Sequence, residues 1–181
     1  MLWWAGGGLI LILVIVVGFL AASGGGDGED FEMVTYRGHD LLGGDESTLS
    51  HFLDREPPIV LNFWGGTCPP SRQEMPGFQR VYDELEDEIF LVGVDVGRFF
   101  NLGTRDDARN FLEEFDITYP TSWARDRSPL TRYGINALPA TIVLDASGEG
   151  IDRQVGFIAE DRLGFILEQA IRTVSRQTQS S

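Results

Sequence analysis

Residues 63–71, FWGGTCPPS, join an apolar run to the beginning of a helical pattern. The run PIVLNFW (58–64) is rich in strand-forming residues and is typical of a strand that is buried on both faces of a sheet. The two prolines that follow the cysteine suit a first helical turn, where the missing N–H would be unpaired anyway. The sequence therefore predicts a strand, a short loop and a helix, with Cys68, the only cysteine, at the start of the helix.

Further strands and helices are predicted on both sides of this unit. Thr104 is expected to cap one helix, and Pro76 is expected to kink the helix that follows Cys68. The resulting order predicts an α/β fold with a central mixed β-sheet, parallel central strands, an antiparallel edge and helices on both faces. The predicted strands are 31–36, 58–64, 89–96 and a hairpin at 140–157, and the predicted helices are 47–53, 69–87, 104–115, 128–134 and 159–177.

Composition excludes several classes of function. The formal charge is −14, from 28 acidic and 14 basic residues, so the protein repels phosphate backbones and nucleic acid is not expected as a partner. Every basic residue is arginine, which removes phosphate-loop lysines and Schiff-base chemistry. One cysteine and two histidines are too few for a structural zinc site, so we expect neither a metal nor a cofactor.

The N-terminal sequence indicates a membrane segment. Residues 2–22 are 21 consecutive uncharged residues, close to the number that spans a bilayer as a helix. We favour an uncleaved anchor over a signal peptide because no Lys or Arg precedes the apolar core. Residues 23–30 are Gly-rich and acidic and are expected to form a flexible linker. The remaining division is a domain at 31–175 and a disordered tail at 176–181, and the domain is expected on the extracytoplasmic side.

Two motifs carry a family resemblance. VLNFWGGTCPPSRQEMPGF (60–78) resembles the active-site segment of membrane-anchored thioredoxin-like proteins of the TlpA and ResA type. NALPATIVLDASGEG (136–150) resembles the loop that carries a cis-proline in that family. The resemblance covers about residues 31–175 and implies a thioredoxin-like fold and thiol-disulfide exchange. The sequence CPPS departs from the family pattern, because Ser71 stands where a second cysteine is usual.

The resemblance also implies roles for individual residues. Cys68 is the expected nucleophile, since the unpaired N–H groups of a first helical turn favour a thiolate. Ser71 occupies the resolving position but cannot attack sulfur as a thiol does. The implied cis-proline, Pro139, leaves neighbouring backbone free to pair with an extended substrate. The substrate-binding residues implied by the resemblance are Trp64, Thr67, Pro69, Leu138 and Pro139.

Glu74 and Asn62 are further candidates for this site. Glu74 matches a glutamate that lies near the thiols in ResA-like relatives, where it is thought to assist proton transfer. It follows Cys68 by six residues, and we favour the alternative in which it lies on a solvated helix face. Asn62 stands where thioredoxins often carry a buried aspartate. Trp64 has a similar alternative, that of an ordinary core aromatic residue.

Three functions are compatible with these residues. The leading hypothesis is monothiol exchange, in which Cys68 forms mixed disulfides with envelope protein thiols or small thiols and an external thiol resolves them. The second is a non-catalytic module that binds extended protein segments, for example of an apocytochrome or a redox protein. The third is peroxidase chemistry of the peroxiredoxin kind, but Gly65 replaces the hydroxyl residue expected three positions before the cysteine. Cys68 could also be an inert buried thiol.

Overall fold

The structure is a computed structural model that describes residues 30–53, 55 and 57–179. Its strands are β1 (Glu32–Arg37), β2 (Glu46–Thr48), β3 (Ile59–Trp64), β4 (Phe90–Asp95), β5 (Thr121–Ala124), β6 (Ala140–Leu144) and β7 (Gly150–Val155). Its helices are α1 (His39–Leu42), α2 (Pro69–Leu85), α3 (Arg105–Glu114), α4 (Ser128–Arg132) and α5 (Glu160–Gln179). Short 3₁₀ turns lie at Leu49–Phe52 and Gly97–Phe99.

All seven described strands form one mixed sheet in the order β2-β1-β5-β4-β3-β6-β7. Strands β3, β4 and β5 are parallel, as expected for strands that are connected through helices. Strands β1 and β6 pair antiparallel with the two sides of this parallel group. The predicted α/β architecture with parallel central strands is confirmed. Antiparallel pairing occurs on both sides of the sheet, whereas the sequence predicted it at one edge.

Each face of the sheet is covered by its own apolar cluster. Alternate residues of β3 point to opposite faces, so Ile59, Leu61 and Phe63 join the cluster that includes residues of α1 and α4. Val60 and Trp64 join the other cluster, which includes residues of α2, α3 and α5. We call this second side the α2 face. Asn62 belongs to the same alternation and therefore lies under α2 as a buried polar residue.

The carboxyl ends of β3, β4 and β5 meet at one edge of the sheet. Trp64, Asp95 and Trp123 are paired across this row, and Cys68 follows four residues after Trp64. We call this edge the thiol edge. Because β1 runs antiparallel to β5, β1 also begins here, and the Arg125 N–H donates to the Glu32 carbonyl oxygen at 3.0 Å.

Several local predictions differ from the structure. The predicted helix 47–53 is instead β2 followed by a 3₁₀ turn, and β5 was not predicted. Helix α5 continues to Gln179, so residues 176–179 are helical instead of forming a disordered tail. The predicted anchor at 2–22 and almost all of the linker at 23–30 lie outside the described residues. Within the described part of the chain, no helix has the length and apolarity needed to cross a membrane.

Candidate active site

Cys68 caps the N-terminus of α2, as the sequence predicted. Its backbone is extended, with φ −72° and ψ 112°, and Pro69 and Pro70 form the first helical turn. The Cys68 N–H donates to the Gly65 carbonyl oxygen at 3.0 Å, which closes the loop between β3 and α2. The side chain is only 2% exposed, yet Cys68 belongs to neither apolar cluster. The thiol is therefore buried at the thiol edge, outside the two apolar clusters.

The predicted cis-proline is present and lies against this thiol. The Leu138–Pro139 peptide bond is cis, and the Cys68 Sγ contacts the Leu138 carbonyl oxygen at 3.8 Å. The Pro139 carbonyl accepts a hydrogen bond from Gly156 N–H at 2.8 Å. The Leu138 N–H forms no backbone hydrogen bond with any described residue. Leu138 thus has a carbonyl oxygen in contact with the sulfur. Its backbone N–H, beside the sulfur, is available to donate a hydrogen bond.

The loop before the cysteine is held by a second loop. We call residues 65–67 the cysteine loop and residues 96–104 the covering loop. The Thr67 N–H donates to the Leu102 carbonyl oxygen at 3.1 Å, and Thr67 and Pro69 are exposed beside the thiol. A Cβ atom on Gly65 would lie 2.8 Å from the Leu102 carbonyl oxygen, and one on Gly66 would lie 2.6 Å from the Ala108 nitrogen. Only glycine therefore permits this approach at both positions.

Ser71 occupies the third residue of α2, one turn from Cys68. Its side chain is fully buried, and its hydroxyl has no hydrogen-bond partner among the described groups. A buried hydroxyl without a partner is uncommon and costs free energy of folding, because its bonds to water are lost. The predicted resolving position thus holds a buried hydroxyl that makes no hydrogen bond within the described structure.

Glu74 is buried, so the preferred alternative of a solvated helix face is wrong. Its carboxyl is 2% exposed and accepts two hydrogen bonds at 3.0 Å, from Asn62 Nδ2 to Oε1 and from Ile158 N–H to Oε2. Burial raises the pKa of Glu74 to about 7, and the hydrogen bonds from Ile158 and Asn62 oppose this rise. Glu74 can therefore exchange a proton near neutral pH, although Cys68 is about 9 Å away along the helix axis.

Asn62 and Thr141 complete the polar group beneath α2. Asn62 Nδ2 also lies 3.4 Å from Thr141 Oγ1, and both residues are buried on paired strands. Trp64 points into the same face and is fully buried, with its ring centroid 5.5 Å from that of Phe111. The burial of Trp64 agrees with the alternative of a core aromatic residue, and a role as a wall of the substrate site stays a prediction.

Comparison with models of protein families identifies the family of this chain. The model of the AhpC/TSA family matches residues 26–149, which is more than half of the sequence. The chain belongs to the AhpC/TSA family. The thioredoxin-like assignment made from the two motifs is thereby confirmed.

Named relatives extend this result. The chain is 30% identical over 121 residues to the thiol-disulfide oxidoreductase ResA of Geobacillus kaustophilus, covering 66% of this chain and 62% of that protein. It is 28% identical over 137 residues to the thioredoxin-like protein YneN of Bacillus subtilis, covering 74% and 72%. The chain spans about three fifths of the length of the ResA proteins that it matches.

Solved structures show the same fold. StoA from Bacillus subtilis superposes with a TM-score of 0.62 at 22% identity, covering 77% of this chain and 96% of StoA. The exposed lipoprotein thioredoxin Etrx1 of Streptococcus pneumoniae superposes with a TM-score of 0.63 at 20% identity, covering 78% and 99%. At this level of sequence identity, the superpositions establish the fold of this AhpC/TSA member but not its activity or its site residues.

One buried acid near the site was missed by the sequence analysis. Asp95 ends β4, accepts hydrogen bonds from Gly97 N–H at 2.9 Å and from the Tyr36 hydroxyl at 3.0 Å, and so anchors the start of the covering loop. Burial raises the pKa of Asp95 to about 6. An acidic residue at the end of an apolar run was the available signal.

In the described residues of this family member, no group of three or more His, Cys, Asp or Glu side chains could hold a metal ion.

Proposed function

We propose that the protein is a membrane-anchored, extracytoplasmic monothiol exchange protein that acts on disulfides or thiols of envelope proteins or small molecules. The observation that carries this proposal is the 3.8 Å contact between the Cys68 sulfur and the Leu138 carbonyl at the start of α2. It brings a helix-start thiol together with the backbone that would hold an extended partner. The similarity to ResA, named a thiol-disulfide oxidoreductase, supports the same chemistry.

The reaction proceeds by exchange without net oxidation. The Cys68 thiolate attacks one sulfur of a partner disulfide, an S–S bond forms to Cys68, and the other partner sulfur leaves as a thiolate that takes up a proton. In a dithiol protein the second cysteine would then resolve the mixed disulfide. The Ser71 hydroxyl cannot do this, so a thiol from another molecule attacks the Cys68 sulfur and releases the first partner.

Glu74 is a proposed proton-transfer residue in this reaction. Its pKa of about 7 allows it to hold or release a proton as thiolates form and disappear. It does not touch the sulfur, so its action on Cys68 would be indirect. The proposed substrate-binding residues either surround Cys68 at the surface or would pair with an extended substrate segment. They are Thr67, Pro69, Leu138 and Pro139.

The proposed location follows from the sequence of residues 2–22, which has the length and apolarity of a bilayer-spanning helix. Export of the domain places Cys68 among envelope proteins, where disulfides persist. The relative Etrx1 is itself named an exposed lipoprotein, which is consistent with an exposed location here.

The first test is chemical trapping in cells that make the full chain. We expect disulfide-linked adducts with the wild-type protein and with Ser71→Ala, and none with Cys68→Ser, because only the sulfur of residue 68 reacts. Non-reducing gels and mass spectrometry identify the adducts. Ser71→Ala is the matched control, since it alters the neighbouring buried position without touching the thiol. Absence of adducts on the wild-type protein, together with no reaction of Cys68 with a small disulfide in vitro, would reject exchange.

The burial of Cys68 favours a second candidate, the non-catalytic binding module. A thiol with 2% exposure is poorly placed for attack unless the Leu138 segment moves, whereas the Leu138 N–H can pair with a bound segment in the observed conformation. If Cys68→Ser retains the partners of the wild-type protein in a crosslinking experiment with a carbodiimide, which joins carboxyl groups of this lysine-free chain to amines of a partner, and no disulfide adduct forms, the binding module is the better description. Peroxidase chemistry has no support at the site, because Gly65 offers no hydroxyl.

A further inference from the structure

Three exposed arginines gather at the thiol edge. Arg98 lies in the 3₁₀ turn that follows β4, Arg105 is the first residue of α3, and Arg127 comes shortly after β5. We call these three residues the arginine patch. Because they follow the carboxyl ends of parallel strands, they lie on the same side of the molecule as Cys68. This concentration of positive charge contrasts with the chain as a whole, whose formal charge is −14.

Aromatic rings hold the guanidinium groups of the patch. The Arg105 guanidinium carbon lies 3.2 Å from the centroid of a Trp123 ring, and those of Arg98 and Arg127 lie 4.5 Å and 5.1 Å from the centroid of Phe99. Arg127 also donates to the Phe99 carbonyl at 3.0 Å. Arg98 likewise donates one N–H to the Arg125 carbonyl. A guanidinium that stacks by its face keeps its remaining N–H groups available for a carboxylate. The patch is thus ordered before any ligand binds.

The patch is not neutralised by the described part of the protein. Arg125, its neighbour, pairs with Glu32 and Glu46, but no carboxylate oxygen of a described residue lies within 4.0 Å of the patch nitrogens. Two acids are close enough to act through space. Asp95 is buried beneath the patch, and Asp126 is exposed and accepts a hydrogen bond from Ser128 N–H at 2.8 Å.

The covering loop connects the patch to the thiol. Arg98 belongs to this loop, which contacts the cysteine loop through the Thr67 N–H and contacts β3 through the Val96 N–H bond to the Trp64 carbonyl at 3.0 Å. Phe99 and Leu138 pack against the same apolar cluster. Because the strand order is β5-β4-β3-β6, a segment that lies along Leu138 and extends past the ends of β3 and β4 would reach the patch.

We propose that the arginine patch binds carboxylates of the partner, so that Cys68 preferentially exchanges with disulfides in extended, acidic protein segments. This deepens the proposed function and rests on it. The strongly acidic body of the protein opposes such a partner at long range, but the Debye length is about 8 Å at physiological ionic strength. At contact the three stacked guanidinium groups dominate, since bidentate Arg–carboxylate pairs are among the stronger charged hydrogen bonds.

The test compares two synthetic peptides of equal length in which one central cysteine is held in the same mixed disulfide. One peptide has three Asp residues beside the cysteine, and the other has Ser at those positions. The rate of Cys68 adduct formation is measured by mass spectrometry for the wild-type protein and for Arg98→Gln/Arg127→Gln. The control is Arg80→Gln/Arg172→Gln, which removes the same charge from exposed positions on α2 and α5 that pair with Glu160 and Glu168. Circular dichroism checks that each variant is folded.

For the wild-type protein we expect the acidic peptide to react about tenfold faster than the neutral one at about 0.15 M salt, where repulsion by the acidic body is screened and the gain is typical of local electrostatic steering. The ratio should fall to about one in the patch variant, stay near tenfold in the control variant, and decrease with added salt. Equal rates for both peptides with wild-type protein would overturn the proposal. Equal losses in the two variants would also overturn it, because net charge would then be the cause.

A second measurement separates this inference from the proposed exchange reaction. Cys68→Ser is titrated with the acidic peptide carrying Ser in place of its cysteine, and binding is followed by fluorescence anisotropy. The patch is supported if the acidic peptide binds more tightly than the neutral one and if this difference disappears in the patch variant. This result would support the patch even if no exchange occurs with any peptide. Equal binding of the two peptides, in a protein whose Cys68 does exchange, rejects the patch and leaves the exchange function intact.

Discussion

Ser71 and Glu74 are buried on the same side of α2 but have opposite surroundings. The Ser71 hydroxyl has no partner in the described structure, whereas both oxygens of Glu74 accept hydrogen bonds at 3.0 Å. Serine is nearly the size of cysteine, so under the proposed function a second thiol would fit the packing of this first turn, where the serine oxygen is unsatisfied. One turn further on, both carboxyl oxygens of Glu74 are hydrogen-bonded, although Oδ1 of the donor Asn62 has no partner among the described groups.

This contrast separates the part of the site that hydrogen bonds hold in place from the part that they do not. A buried carboxyl whose two oxygens both accept hydrogen bonds holds a defined geometry, whereas a hydroxyl without partners contributes only its volume. Under the proposed function, the hydrogen-bonded Glu74 carboxyl, Cys68 and the Leu138–Pro139 segment are the parts of the site that would take part in the reaction. Ser71 would take no part in it, because its hydroxyl cannot act as a thiol does.

The largest expected effect comes from restoring the second thiol with Ser71→Cys. Residues three apart in a first helical turn have a separation that a disulfide can bridge, so oxidation should join the introduced thiol to Cys68. We expect at least about a tenfold gain in the rate at which dithiothreitol reduces insulin with this variant as catalyst, since the variant resolves its own mixed disulfides.

Ser71→Ala is the control for this experiment. It should show no gain in catalysis and should change the free energy of unfolding by less than about 1 kcal/mol, because an unpartnered hydroxyl is removed. If Ser71→Cys keeps two free thiols after oxidation, as counted by alkylation and mass spectrometry, then the serine position is no longer built for a second sulfur.

The next effect concerns Glu74 and the pH dependence of stability. The folded pKa of about 7 exceeds the ordinary value of 4.5, so folding favours the protonated form. Its contribution is fully present below about pH 4.5 and is lost as the pH rises through 7. Relative to Glu74→Gln, the wild-type protein should therefore lose about 2 to 3 kcal/mol of unfolding free energy between pH 5 and pH 8.

Urea denaturation of the two proteins across this pH range measures the difference. Asp95 also has a raised pKa, but it is present in both proteins, so its contribution cancels. Parallel stability profiles would show that the Glu74 carboxyl does not titrate near neutral pH. A pH profile of Cys68 alkylation that shifts in Glu74→Gln would add evidence for a role in proton transfer.

A smaller effect is expected at the cysteine loop with Gly66→Ala. The added Cβ would lie 2.6 Å from the Ala108 nitrogen, and backbone at both sites must shift to relieve this contact. We expect a loss of about 1 to 3 kcal/mol in the free energy of unfolding. The rate of Cys68 alkylation should change, while the pH dependence assigned to Glu74 should not, because Glu74 lies beyond the first turn of α2.

Gly164→Ala is the matched control for this substitution. A Cβ there meets no atom within 4 Å, and the position lies inside α5, so alanine should stabilise the protein by about 0.5 to 1 kcal/mol. Loss of stability of the same size in both variants would mean that the close approach at Gly66 is not the cause.

The fold was predictable where the hydrophobic pattern was long and regular. Strands β3 and β4 are continuous apolar runs, and Thr104 forms the expected cap, with reciprocal hydrogen bonds to Asp107. Strand β5 was missed because it has four residues and includes Thr121 and Ser122, whose burial depends on neighbouring strands. No local pattern marks such a strand.

The burial of Glu74 could have been predicted from spacing. Buried residues of α2 include Ser71, Glu74, Phe78 and Val81, which follow the three- and four-residue spacing of one helix face. Two polar residues on an apolar stripe were the signal that a polar group lies beneath it. The contact between Cys68 and Leu138 could not be derived from local pattern, because 70 residues separate them and only the sheet brings them together.

The direction of β1 has a consequence for where the protein can act. The domain starts at the thiol edge, since β1 begins beside the end of β5. Under the proposed anchoring, the eight residues 23–30 reach at most about 28 Å when fully extended. Cys68 would then face the lipid surface at short range, so its partners would be proteins that present their sulfur close to the bilayer, and distant soluble proteins would seldom reach it.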